Sequence, residues 1–224
     1  MTGKTHVTCS TATMAVFALA HKSGYQFFGV DILPWVGVIS ASVGALLPDI
    51  DIPQSRLGQK FKFLSKNMKH RGITHTLLAP TILLLGTLSI KTRNACIVAS
   101  LLVGLLVGMM FDARVDLRKG NIFVKLKNII VNKKGLTSTV VLLVLTFIAP
   151  ATGASILWGL MCGWTLHIFE DLFNSKGCPI LYPFSRGHIH IASFKTRHWS
   201  EGLFFLLWMG GTIIWALIVI KTQL

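Results

Sequence analysis

The chain has 224 residues, 52% of them apolar and 13% charged, and its 22 Lys and Arg against 8 Asp and Glu give a formal charge of +14. That balance excludes one large or two small soluble domains and points to a polytopic membrane protein. The basic residues cluster in loops between uncharged runs instead of covering one soluble face, so topology accounts for the charge and no nucleic-acid partner is expected.

Uncharged runs fall at about 5–20, 32–47, 76–90, 95–111, 136–166 and 202–220. A span needs roughly 17–25 residues, so several of these would be short or tilted helices. The first run follows Lys4 and closes on Ala18-Leu19-Ala20, the outline of a secretory signal, although its threonine content argues against cleavage. Cys9, Cys96, Cys162 and Cys178 form no C-x-x-C pair and read as buried thiols.

Next comes "LLPDIDIP", where Pro48 and Pro53 bracket Asp49 and Asp51. The prolines disfavour a continuing helix and favour an extended turn, from which two carboxylates can face one point or simply meet solvent. The basic loop after it enters "KHRGITHT", residues 69–76. His70 and His75 lie about 140° apart on an ideal helix and share no face. They converge if His70 sits in a loop and His75 in the first turn of the next helix, with Gly72 at the bend and Thr74 as N-cap. Otherwise they are solvated histidines in a basic loop.

Between 112 and 135, Ile122, Phe123, Leu126, Ile129 and Ile130 recur at helical spacing among lysines, the pattern of a helix on an anionic lipid surface or of a solvated basic loop. If 136–166 folds as two short helices hinged near Pro150 and Gly153, the chain makes seven crossings. Eighteen basic residues then share one side with four on the other, which makes the first side cytoplasmic. His167 and Asp171 follow at i and i+4, about 40° apart on one helical face, where they can serve one metal; Glu170 points elsewhere. The late "GHIHIAS" alternates as a short hairpin strand would. His6 heads the first run on the same side and His21 falls on the other, while His188, His190 and His198 cluster with Arg197 and Glu201 as residues that could line the site although their spacing matches no metal pattern.

The expectation is an all-α polytopic membrane bundle of about seven short hydrophobic segments, one integral domain over 1–224, with a metal site at the cytoplasmic face. Six crossings would put His167 across the bilayer from His75, whereas seven gather both on one side.

The ordered set "TH" at 5–6, "LLPDID" at 46–51, "HRGITHT" at 70–76 and "HIFEDLFNSKGCPILYPFS" at 167–185 resembles the YdjM-type family of membrane-bound, LexA-regulated, predicted metal-dependent hydrolases. Those motifs cover about 1–90 and 155–201, so 91–150 reads as an inserted helix pair with the basic amphipathic loop. The resemblance implies metal ligation by His6, Asp49, His70, His75, His167 and Asp171, with Asp51 a further ligand or base. It departs at Asn174, where a threonine is usual, and at Ile52, where a histidine is common. The family is in turn remotely similar to zinc-dependent phospholipase C and the S1/P1 nucleases.

Mixed imidazole and carboxylate donors suit zinc, with manganese or iron as alternatives, and Arg71 beside them would neutralise a phosphate. The expected function is an inner-membrane metal-dependent hydrolase of a phosphoester in a membrane lipid or lipid-linked substrate. A nuclease-like hydrolase of a soluble phosphoester and a non-enzymatic metal-binding sensor, transporter or structural protein are the alternatives.

Overall fold

The computed structural model describes residues 1–67, 71–89, 140, 144, 150–182, 184–185 and 187–223. The expected 91–150 insertion with its amphipathic loop therefore lies almost entirely outside the described residues, as do His70 and Cys96.

Helix α1, Gly3–Ala20, starts where the Thr2 side chain accepts the Thr5 N–H, satisfying one of the donors a helix start leaves open. Strands β1, Tyr25–Phe27, and β2, Val30–Ile32, form an antiparallel hairpin through Phe28 and Gly29, both at positive φ. Such two-residue turns match strand twist. Helix α2, Pro34–Gly44, opens on a proline whose missing N–H costs nothing at that position. A 3-10 turn at Pro48–Asp51, helices α3, Arg56–Lys60, and α4, Lys62–Asn67, and a second 3-10 turn at Ile73–His75 lead into α5, Leu78–Ser89. Helix α6, Pro150–Leu172, and helix α7, Trp199–Gln223, complete the described elements.

The tightest packing is between α2 and α6, and it is made by small residues. A Cβ on Gly163 would meet the Ala41 carbonyl, one on Gly159 the Gly37 carbonyl and one on Gly44 the Leu160 carbonyl. Glycines four apart on α6 thus face small residues at the same spacing on α2, which lets the two backbones touch. Met14, Ala18, Val38, Leu157 and Trp158 fill the space between this pair and α1. Gly163→Val would force the pair apart, and by the usual cost of overpacking should remove about 1–3 kcal/mol of stability. Thermal unfolding in detergent measures it; an unchanged Tm would show that the helices can separate freely.

Hydrogen bonds fix the helix directions. Leu33 N–H donates to Ser155 Oγ at one end of the α2–α6 pair and His167 Nδ1 lies 2.6 Å from the Ala45 carbonyl at the other, so these helices run parallel. Thr2 N–H donates to Glu201, and Gln223 Nε2 donates to the Leu19 carbonyl, so α1 and α7 run parallel too. Thr11 pairs with Ser42, which sets α1 against the direction of α2. The start of α1, the ends of α2 and α6, both 3-10 turns and the starts of α5 and α7 therefore gather at one end of the bundle. The hairpin sits at the other.

This architecture corrects the expected seven-span bundle. Of the described helices only α7 is long and apolar enough to cross a membrane. Its 25 residues reach about 37 Å, beyond the ~30 Å of a hydrocarbon core. By the same rise the 11 residues of α2 reach only about 17 Å. Helix α6 is long enough, but it ends in three buried ionisable residues. The fold is also not purely helical, because the β1–β2 hairpin occupies a stretch just ahead of the second apolar run. Gly153 is no hinge, since α6 runs unbroken from Pro150. In place of a strand at "GHIHIAS" there is an isolated antiparallel bridge, Cys178 to Ile189.

Candidate metal centre

The α2–α6 contact delivers the central residue. Gly163 abuts Ala41, and one turn further along both helices the His167 ring meets the Ala45 carbonyl. That bond leaves His167 Nε2 turned inward, buried and without a hydrogen-bond partner. His6, one turn into α1, stacks on it with ring centroids 3.7 Å apart, and its own buried Nε2 is likewise unpartnered and 3.5 Å from Asp171 Oδ1. His75 completes the set from the second 3-10 turn, edge-on to His167 at 5.3 Å, with Nε2 3.6 Å from Asp171 Oδ2.

Each of the three rings is held by its other nitrogen. His6 Nδ1 is 2.6 Å from Glu170 Oε2, His167 Nδ1 faces the Ala45 carbonyl, and His75 Nδ1 is 3.1 Å from Thr74 Oγ1 and 3.4 Å from Asp51 Oδ2. This is how proteins orient histidines that bind metals: one nitrogen anchored to a carboxylate or carbonyl, the other presented. Asp49 enters from the first 3-10 turn, its Oδ1 3.7 Å from His167 Nε2.

Two donor groups result, His6–His167–Asp171 and Asp49–His75–His167, each with ligand atoms within 4.8 Å of one another. They share His167. Four carboxylates, Asp49, Asp51, Glu170 and Asp171, are buried here, and Asp171 is paired with the Arg71 guanidinium and with the Met1 ammonium. Buried unpartnered imidazole nitrogens facing carboxylate oxygens fit zinc or a similar borderline ion. Burial pushes the Cys9, Cys162 and Cys178 thiols up to about 12, so they stay protonated and add no thiolate.

Charge inside the cluster is uneven. Burial works against a proton on His6, yet the Asp171 and Glu170 carboxylates on either side of the ring prevail and raise its pKa to about 9. Burial also works against ionised Asp171, but the adjacent His6 and its charge hold that carboxyl well below the usual range. Burial and the neighbouring His6 charge hold His167 well below its ordinary value, in the neutral form a metal requires. Burial raises both Asp49 and Glu170.

Arg71 is built into the site wall. Its Nη2 donates to Asp171 Oδ2 at 2.7 Å, its Nη1 to the Gly177 carbonyl at 2.6 Å, and its backbone N–H to Asp51 Oδ2 at 2.9 Å. These bonds hold a non-glycine residue at φ +56. The bend expected at Gly72 is thus made at Arg71. Thr74 donates to Asp51 Oδ2 and caps nothing, and Thr76 Oγ1 accepts the Leu78 N–H at the start of α5. Asp51, 1% exposed, braces the turn that carries His75. The structure brings together His6, Asp49, Asp51, Arg71, His75, His167 and Asp171. His188, His190 and His198 are exposed and outside the cluster.

Glu170 escaped the sequence reading, and Glu201, named there without a role, gains one. Glu170, fully buried, faces α1 and holds both His6 and Ser10 Oγ. A separation of three residues from His167 puts it only about 60° around the helix, and that spacing was the available signal. Glu201 accepts from the Thr2 and Arg197 N–H groups and from Thr5 Oγ1, tying the start of α7 to the start of α1 just beneath His6. Glu170→Gln should weaken zinc binding about tenfold, because the ring orientation survives on a neutral partner while the negative charge on it is lost. Competition with a coloured chelator reads this, and an unchanged affinity would make Glu170 a packing residue.

The model of the family described as YdjM inner membrane protein matches residues 1–118 and 135–223. The chain belongs to that family. It is 36% identical to the uncharacterized protein YvsG of Bacillus subtilis (strain 168) over 118 residues, 50% of this chain and 67% of the relative. It is 40% identical to the inner membrane protein YdjM of Escherichia coli (strain K12) over 88 residues, 37% of this chain and 44% of the relative. The Shigella flexneri inner membrane protein YdjM matches to the same extent. The chain therefore spans less than half the length of the YdjM relatives it matches. No solved structure matches. Membership in the YdjM family and one apolar helix of spanning length support a membrane location. The remote likeness to zinc-dependent phospholipase C and the S1/P1 nucleases is not shown by these comparisons.

Proposed function

We propose that this YdjM-family chain is a membrane-bound metal-dependent hydrolase acting on a phosphoester in a lipid or lipid-linked substrate. The observation that carries the reading is that two donor groups meet at the His167 imidazole, so one buried cluster of imidazole and carboxylate atoms could hold an ion there. Zinc, or manganese or iron in its place, would be held by His6, His167 and Asp171 on one side and Asp49 and His75 on the other. Such ions activate water and clamp a phosphoryl group. The chain's own part is to fix the donors: Glu170 and Ala45 orient His6 and His167, Asp51 and Thr74 orient His75, and Arg71 pins Asp171.

Placement supports this substrate class. The cluster lies at the end of the bundle where α7 begins, which in a spanning helix is the headgroup level. Segments 52–67 and 174–198 at that end each carry four Lys or Arg, against Lys22 and Lys221 at the other end, so the positive-inside rule directs the site to the cytoplasm.

A second reading is favoured by one feature: His6, His75 and His167 are fully buried and Asp171 is 2% exposed, the closure of a structural or sensing site. Turnover separates the two. Zinc-loaded chain and its His75→Ala form are compared on radiolabelled lipid extract and on short oligonucleotides. Release of water-soluble phosphate from lipid, abolished in the variant, is the expected result. Turnover of oligonucleotides alone would make it a nuclease. No turnover of either with metal bound would leave a non-catalytic metal protein.

A further inference from the structure

We propose that the segment between α6 and α7 is a membrane-docking loop that seats its apolar tip among anionic headgroups at the site end of the bundle. The proposal rests on the membrane location of the chain and not on hydrolysis. Its first support is exposure: Phe184 is 97% exposed, Trp199 72%, Ile191 59% and Leu181 50%. Phe184 and Leu181 lie in the loop and Ile191 and Trp199 follow it, and large apolar side chains left this exposed along one segment mark an interaction surface.

The second support is rigidity. The Cys178 and Ile189 N–H groups donate to each other's carbonyls at 3.0 and 2.9 Å, closing the loop at its neck. Ile191 N–H donates to the Leu172 carbonyl, Phe194 N–H to the Phe173 carbonyl and Leu77 N–H to the Ile180 carbonyl, which fastens the base to α6 and to the start of α5. Phe194 also packs with Phe173 and Phe204 in a small apolar cluster. The tip is therefore presented by a braced frame across the end of the bundle.

The third support is charge and continuity, and it selects the occupant. Residues 174–198 contain Lys176, Arg186, Lys195 and Arg197, three histidines and no Asp or Glu. An apolar tip in an acid-free basic frame matches an anionic leaflet, where basic residues near the surface gain from the lipid charge and aromatic rings settle at headgroup depth. A protein partner would have to supply a matching acidic rim, whereas the leaflet is already at hand: the loop runs directly into Trp199, the first residue of the one described helix of spanning length. An aromatic there is what an interfacial belt requires. The histidines 188, 190 and 198, which no metal pattern absorbs, fall on this same surface.

The test uses the full chain in nanodiscs of phosphatidylcholine alone or mixed with phosphatidylglycerol. An environment-sensitive fluorophore is placed at Phe184→Cys and, separately, at Ile191→Cys, with labelling of the parent chain as background. Headgroup-level nitroxide lipids should quench the probe at least about twofold more strongly in the anionic discs. The added changes Lys195→Glu and Arg197→Glu should abolish that difference. A probe at both positions that stays water-like and unquenched in anionic discs would overturn the proposal, as would equal quenching in the two lipid compositions. Neither readout depends on turnover, so a docking loop on a chain that hydrolyses nothing, or a hydrolase without a docking loop, would each be recognised.

Discussion

Replacing His167 with alanine is expected to strip zinc from the chain, whereas His6→Ala and His75→Ala should each leave partial binding. The difference comes from connectivity. His6 and Asp171 form one donor group with His167, Asp49 and His75 form the other, and only His167 belongs to both. Structural zinc sites gain about 10–16 kcal/mol from roughly four donors, so one lost donor removes about 3–4 kcal/mol, or on the order of 10²–10³-fold in affinity. Either group needs His167, so an ion placed with the one or the other loses this donor. Its removal also frees the Ala45 carbonyl, which the ring covers at the end of α2. Far-ultraviolet circular dichroism guards against the trivial outcome of unfolding. Metal content after dialysis is the measurement, and a folded His167→Ala chain that keeps full zinc would mean that the two groups do not meet at this histidine.

The clustering of the candidate residues was more legible in the sequence than the bundle around it, for physical reasons. Ionisable residues at the ends of apolar runs are costly to bury alone, so Asp49, His75, His167 and Asp171 stand out by residue type and position. His167 and Asp171 were readable as a pair because helical spacing is local. The partner of each outer imidazole nitrogen was not readable in the same way. Which helix Glu170 faces depends on α1 lying beside α6, and Ala45 reaches His167 only because Gly159 and Gly163 let α2 approach. The role of Arg71 was hidden for a related reason. Its side chain reaches Asp171 and Gly177 about a hundred residues away, and a basic residue in a basic loop carries no sign of that.

The number of spans was misjudged because apolar content does not distinguish a helix facing lipid from one facing other helices. A run of ten to fourteen apolar residues suits a buried helix better than a span, and α2 is of that length. The hairpin escaped because its turn is Phe28-Gly29, not one of the asparagine or aspartate pairs that announce such a turn. Phe28 accepts a positive φ while remaining 74% exposed.

Zinc affinity is expected to rise about tenfold for each pH unit between 7 and 9 and to level off above that, a change of about a hundredfold in all. The cause is His6. In the metal-free chain its imidazole, between Asp171 and Glu170, keeps a proton up to about 9. Binding through Nε2 requires that proton to leave, so each ion bound below pH 9 releases one, and affinity follows proton concentration with unit slope. His167, held neutral well below its ordinary value, contributes nothing to the slope in this range. The stability of the metal-free fold should move the opposite way. A histidine raised from 6.5 to about 9 stabilises the folded state fully below the unfolded value, and that contribution is lost as the pH climbs through 9. Chelator-treated chain should therefore melt at a lower temperature at pH 9 than at pH 7, while zinc-loaded chain gains ligand stabilisation over the same interval. Chelator competition at several pH values gives the slope, and His6→Gln, which keeps a polar side chain with no titrating proton, should flatten it. Should the parent chain bind zinc equally well at pH 7 and 9, the proton is not held by His6 and the pairing of its two nitrogens with Glu170 and Asp171 is not the electrostatic lock described above.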